Sequence, residues 1–320
     1  MNRRKLLAAL AAGGAGVATW PSATQAAKVL ALDLTGTWTN AWYTKLERPK
    51  AFKTLVISTA EAEAYEAPRR RLHGELLDSH DVLGQAESEF PENGPGLARI
   101  RGEIRTSWIT DPPDGRIPWT DEARKRLSIG KEPPDIYDNV ENRDTDERCL
   151  TNSSGVAPLI NSHDANLIEI VQTGDAIVIV GEKNHEARIV RMDGADGLSR
   201  EAGLGRWTGV SAGRWEGATL VVETTRLRPG VTKLDDDVYL SDRARVVECF
   251  TRTGPHEIAY LFRVEDTSLF TRPWRGEMVF RTAEGRMFEY ACHEGNYSLP
   301  GILAAARAME REKAGAAKGR

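Results

Sequence analysis

The strongest constraint on the fold is a series of short β-rich runs separated by turns through the second half of the chain. Arg243–Thr251 alternates in character, and Glu257–Val264 and Trp274–Arg281 continue as strand-like runs. Leu167–Val171, Ala176–Val180, Ala187–Met192, Arg214–Thr225 and Arg286–Ala291 are β-rich as well. Turn chemistry falls between them at Asp193-Gly194, Gly254-Pro255 and Ala283-Glu284-Gly285. A strand presents alternate side chains to opposite faces, so such runs bury their apolar faces against one another. The expected fold is all-β: an antiparallel β-barrel or sandwich with a loop-rich N-terminal half at 27–150, an antiparallel half at 151–297 and a C-terminal helix and tail at 298–320. No repeat or linker divides it, so 27–320 reads as a single β-rich domain.

The first half is less regular. Residues 33–43 read as an opening strand carrying Gly36-Thr37-Trp38. A short helix is expected over Ala60–Ala67 with Thr59 as its N-cap, and a strand over Leu97–Thr110. Asp111-Pro112-Pro113-Asp114-Gly115 is dense in turn residues, and Thr120 opens a helical turn to Leu127. Lys131–Asp146, rich in Pro and acid, reads as a surface loop. Ser298 is the expected N-cap of the last helix, whose Leu299, Ile302, Leu303 and Ala306 form an apolar stripe suited to pack on the sheet.

The N-terminus carries a different kind of information. Asn2-Arg3-Arg4-Lys5-Leu6-Leu7 precedes an Ala/Gly run and the small-residue site Ala23-Thr24-Gln25-Ala26-Ala27. That is the build of a signal peptide of twin-arginine type over 1–26, which implies the twin-arginine export machinery as a partner and a periplasmic or secreted destination. Removing it takes away three basic residues and no acidic one, moving the formal charge of −4 to −7. An acidic balance argues against a nucleic-acid partner. No run reaches the ~18 apolar residues of a spanning helix, so no integral membrane span is expected after cleavage. In an oxidising compartment the three cysteines allow one disulfide and one free thiol. Cys249 sits in a strand, while Cys149 and Cys292 sit at strand ends in loop-like settings, so these two are paired; spacing alone does not fix the connectivity.

Five ordered blocks carry a resemblance. They are Asp111-Pro112-Pro113-Asp114-Gly115-Arg116-Ile117-Pro118, Glu147-Arg148-Cys149-Leu150, Gly213–Thr224, Phe270-Thr271-Arg272-Pro273-Trp274 and Glu289-Tyr290-Ala291-Cys292-His293-Glu294-Gly295-Asn296-Tyr297. Over roughly residues 33–310 the chain resembles a large family of exported bacterial proteins, mostly without an assigned activity. The resemblance implies a cysteine in both loops, in keeping with the Cys149–Cys292 pairing, and a dispensable thiol at Cys249. Gly36-Thr37-Trp38 is also similar to the opening strand of lipocalin-like barrels.

The densest chemistry lies in Cys292–Tyr297, where imidazole, carboxylate, amide and phenol follow one another. His293 and Glu294 are the expected catalytic acid–base pair, with Tyr297 and His185 behind them. Trp215, Asn296 and Arg148 are the expected substrate contacts. The alternative is a structural corner in which His293 and Asn296 satisfy loop backbone. Gly209-Val210-Ser211-Ala212-Gly213 matches a hydrolase elbow in spelling, but a strand rather than a helix follows it. Arg116, Arg148 and Arg188 recur near these blocks as candidate anion holders or loop ties.

Three functions follow as expectations. The first is an exported enzyme performing cofactor-independent acid–base chemistry, as an isomerase, lyase or hydratase, on a small apolar or aromatic molecule. The second is a non-catalytic periplasmic ligand-binding or envelope protein. The third is a metal-dependent enzyme using His185 and His293 with a carboxylate such as Glu182. No Gly-rich phosphate loop, CxxC or HxxxH spacing occurs, so the leading reading calls for no cofactor and no metal.

Overall fold

Both edges of the long strand near the C-terminus are paired, and this closes the sheet into a barrel. The structure, a computed structural model, describes residues 33–78, 94, 96–129, 137–143, 145–151, 155–161, 166–192, 206–228, 232–235 and 238–318. The expected signal segment at 1–26, the Asp193-Gly194 turn, His80 and His163 lie outside the described residues. In chain order the first half holds β1 (Gly36–Thr39), β2 (Val56–Ile57), α1 (Thr59–Asp78), β3 (Arg99–Ile100), β4 (Glu103–Arg105), β5 (Ile109–Asp111) and α2 (Asp121–Ile129). The second half holds β6 (Leu167–Gln172), β7 (Ala176–Gly181), β8 (Ala187–Arg191), β9 (Val210–Glu216), β10 (Thr219–Thr225), β11 (Thr232–Asp235), β12 (Val238–Leu240), β13 (Arg245–Gly254), β14 (Glu257–Glu265), β15 (Trp274–Thr282), α3 (Cys292–Gly295) and α4 (Ser298–Lys318).

Among the described residues nine strands form the barrel in the order β1, β6, β7, β8, β9, β10, β13, β14, β15. Closure comes from β15 pairing back on β1, with Trp38 opposite Thr282 and Thr39 opposite Arg281. Neighbours are antiparallel except β8 and β9, which run parallel at Val190 and Ser211. The all-β barrel expected from the strand pattern is therefore the fold. β5 adds to the far end of β15, and β2, β4 and β3 make a small separate sheet.

Alternation along the strands sends Ile177, Ile179, Leu220, Val222, Val246, Phe250, Ile258, Phe262, Trp274, Met278 and Phe280 into one core. Val156, Ala157, Leu159 and Ile160 from the 155–161 strap pack into the same core with no exposed surface. Gly276 is required by this packing: a Cβ there would stand 2.1 Å from the Phe262 ring. The Gly213–Thr224 block is the β9–β10 hairpin, turning at Gly217 with φ 62. The Gly-x-Ser-x-Gly stretch is thus strand leading to strand, with the Ser211 hydroxyl 2.8 Å from that of Thr224.

Several local expectations change. The Leu97–Thr110 strand is broken by Arg101 and Gly102, whose φ values of 51 and 82 turn β3 back into β4. Helix α1 runs well past Ala67, and its cap is one residue earlier: Ser58 Oγ accepts from Glu61 N at 3.3 Å while Glu61 Oε2 accepts from Ser58 N at 2.9 Å. Thr120 caps α2 as expected, accepting from Ala123 N at 3.1 Å. Arg286–Ala291 forms no strand. β14, β1 and β5 already occupy the edges of β15, so the chain leaves the sheet. Of the stripe on α4, Ala306 is buried and Leu299, Ile302 and Leu303 are half-buried, and none of them joins the barrel core.

A polar network crosses the core. Arg188 on β8 and Glu248 on β13 form a two-pronged ion pair at 2.5 and 3.0 Å, with side-chain exposures of 1% and 0%. Tyr260 donates to Glu248 at 2.7 Å and accepts from Leu159 N at 2.9 Å, joining β14 and the strap to the pair. Burial pulls the Arg188 guanidinium down more than any single neighbour raises it, but the charge and hydrogen bonds of Glu248, with smaller help from Tyr260 and Glu186, together turn the net shift upward. Burial pushes the Tyr260 phenol well above its ordinary range, and the Glu248 charge adds to that.

Removing one partner leaves the other buried and uncompensated. Glu248→Gln is expected to lower the unfolding free energy by about 3–5 kcal/mol in a urea titration; a loss no larger than that of a surface substitution would contradict the network's role. Because the folded phenol titrates higher than the unfolded one, its contribution is complete below the unfolded value of about 10 and is lost as pH rises further. Alkaline titration of stability should show this fall, and Tyr260→Phe should flatten it.

Candidate functional site

The part of the chain that leaves the barrel after β15 builds a groove with the 145–151 loop. Cys149 and Cys292 form a disulfide with Cα atoms 5.8 Å apart, joining residues 143 positions distant in sequence. The groove holds ≈ 520 Å³ and is bounded by Asp146 and Glu147 on one side and by Glu289, Tyr290, Cys292, Asn296, Leu299 and Ile302 on the other. That volume lies within the range of small-molecule sites.

Local hydrogen bonding sets the two walls. Asn296 Nδ2 donates to Glu147 O at 2.6 Å and approaches Cys149 Sγ at 3.6 Å. Its Oδ1 accepts from Leu299 N at 3.3 Å, so Asn296, not Ser298, caps the start of α4. The β7–β8 connection forms the adjoining support, with Asn184 and His185 at φ values of 59 and 47. Glu182 Oε1 accepts from Phe288 N at 3.0 Å, and His185 Nε2 accepts from Tyr290 N at 3.4 Å. Lys183 pairs with Asp146 at 2.9 Å, its ammonium 5.8 Å from the Tyr290 ring centre. Arg143 pairs with Glu147 at 2.6 Å. Two of the three groove carboxylates thus have a cation of the protein beside them, and the groove is amphipathic rather than strongly acidic.

The expected site residues fall on both sides of this picture. Asn296 and Cys292 line the groove, and Glu289 and Tyr290 of the same block join them. His293, Glu294 and Tyr297 are exposed and lie outside the lining, Tyr297 at 83%. The one-turn helix α3 leaves the imidazole and carboxylate exposed, so the expected acid–base pair is not assembled over this groove. His185 is exposed beside the Tyr290 backbone. Trp215 packs against the barrel core from β9, and Arg148 is half-buried on its loop, away from the groove lining. Glu182, His185 and His293 do not make a ligand set: among the described residues no three His, Cys, Asp or Glu side chains gather closely enough for a metal ion.

The sequence reading passed over Asp146, Tyr290, Leu299 and Ile302 as site residues. Asp146 stands three residues before Cys149, and Leu299 and Ile302 follow Cys292 at helical spacing. Taking the disulfide as a geometric constraint would have brought them together. The other blocks pair as corners. Arg116 binds Glu47 at 3.1 Å, Arg272 binds Asp111 at 3.1 Å, and Trp119 meets Phe270 in a tilted pair with ring centres 5.0 Å apart.

Among the described residues no helix is long and apolar enough to cross a membrane, and the disulfide is in keeping with an oxidising compartment. Compared with protein-family models, with curated proteins and with solved structures, the chain matches none.

His293→Ala should leave thermal stability unchanged, because the ring makes no contact that folding requires. Asn296→Ala should cost about 1 kcal/mol through the lost cap of α4. Thermal unfolding of the two variants checks this; a large loss at His293 would restore it as a structural corner.

Proposed function

We propose that the protein is an exported, non-catalytic binding protein whose ligand seat is the groove between the 145–151 loop and the start of α4. The observation that carries this reading is the position of His293 and Glu294. An acid–base pair works in a water-excluded site within hydrogen-bond reach of its substrate, and these two side chains are exposed outside the groove. The barrel interior gives a ligand no better seat, being filled by its own aromatic and aliphatic side chains.

The ligand class is a small apolar or aromatic molecule. Tyr290, Leu299 and Ile302 offer an apolar wall, and Asn296 and Glu289 offer polar atoms at its rim. On this reading the chain is a member of the exported bacterial family that its five blocks resemble. Residues 1–26 direct it through the twin-arginine route to the periplasm or beyond. The disulfide supports the oxidising end of that route.

N-phenyl-1-naphthylamine, a neutral aromatic probe, should bind saturably with enhanced fluorescence and be recovered unchanged by mass spectrometry. Ile302→Asp should weaken it by at least about tenfold, which is about 1.4 kcal/mol, while His293→Ala leaves it unaltered. Equal affinity in the Ile302 variant would remove the groove as the seat. Turnover of a small-molecule panel that His293→Ala abolishes would return the acid–base enzyme.

A further inference from the structure

The disulfide is placed to be opened from the groove. Its two sulfurs differ in setting. Cys149 is 8% exposed and is absent from the groove lining, whereas Cys292 is half-buried and lines the groove. The amide of Asn296 stands 3.6 Å from Cys149 Sγ with its N–H side toward the sulfur. A donor there stabilises a thiolate at Cys149 as that charge forms. Cys149 is also held in the left-handed region at φ 54, which a non-glycine residue adopts only at a cost.

What the bond restrains is equally defined. From residue 284 onward the described chain has no strand, and no apolar side chain of α4 joins the barrel core. Its ties run to loops: Phe288 and Tyr290 to the β7–β8 connection, Asn296 to Glu147, and Arg307 to the Asp138 carbonyl. The Arg188–Glu248 pair lies outside this segment, and so does the β1–β15 closure, whose last hydrogen bond runs from Ala283 N to Thr37 O at 3.0 Å.

We infer that the Cys149–Cys292 bond is a reducible clasp, opened by a dithiol donor that enters through the groove and releases the 284–318 segment from an intact barrel. The donor thiolate attacks Cys292 Sγ, a new S–S bond forms, and the old one breaks with its electron pair leaving on Cys149 Sγ beside Asn296. The donor's second thiol then attacks the mixed disulfide and frees the Cys292 thiolate. The donor ends as a cyclic disulfide, and two electrons and two protons have passed to the protein. The inference stands apart from the ligand reading, because neither readout below uses a groove ligand.

The test takes the full oxidised protein under native conditions. A monothiol, glutathione, followed by a maleimide quench and peptide mapping, should place the glutathione adduct on Cys292 and the maleimide on Cys149. Dithiothreitol should then raise amide exchange across 284–318 by at least about tenfold while β13–β15 stay protected. A double variant, Cys149→Ala with Cys292→Ala, should reproduce that exchange pattern without any reductant. Glutathione on Cys149, a bond that opens only in denaturant, or exchange that rises across the barrel strands as well would each overturn the inference. A double variant that fails to fold would do so too if the reduced wild type unfolds with it.

Discussion

A guanidinium that never loses its proton sits in the middle of this protein, and much of the architecture follows from where its charge is met. Arg188 faces inward from β8 because its neighbours in the alternation, Ala187 and Ile189, face outward. The charge is tolerable there only with a carboxylate in bidentate contact, and Glu248 supplies it from β13. Tyr260 fills one remaining site of that carboxylate and reaches on to the strap through Leu159 N. Strands distant in sequence and a non-strand segment are thereby fixed to one point. With Val156, Leu159 and Ile160 drawn into the core, the interior is committed to packing.

Closure of the barrel has a second consequence. Once β15 has β14 on one edge and β1 and β5 on the other, no hydrogen-bonding edge remains for the residues that follow. The chain must leave the sheet after Ala283, and its next hydrogen bonds run to the β7–β8 connection, to Glu147 and to Asp138. The groove is the space left between that departing segment and the 145–151 loop. Its walls are set by Asn296, by the β7–β8 connection and by the disulfide, and not by the hydrophobic core.

The strands were largely legible because their signals are local. Alternation in Arg243–Thr251 and turn residues at Gly254-Pro255 need no knowledge of the rest of the chain. Arg286–Ala291 was misread for the complementary reason: its composition suits a strand, but pairing depends on whether an edge is open. The Arg188–Glu248 pair was not legible as a pair, since nothing local says that two charges 60 positions apart share one interior. Within the block 289–297, Glu289, Tyr290, Cys292 and Asn296 line the groove, while His293, Glu294 and Tyr297 lie outside its lining. Chemical type pointed to His293 and Glu294, but the single turn of α3 decides which way they face, and it turns them outward. Tyr290, Leu299 and Ile302 looked like ordinary apolar residues until the disulfide brought Asp146 and Glu147 opposite them.

The central claim is that recognition happens outside a filled barrel. Methyl NMR during titration with N-phenyl-1-naphthylamine tests it most directly, because groove and interior are reported by different residues. The account requires shifts at Leu299 and Ile302 while the methyls of Ile177, Ile179, Leu220 and Val222 stay in place. Shifts at those interior methyls with Leu299 and Ile302 silent would show that the barrel admits the ligand, and would contradict it.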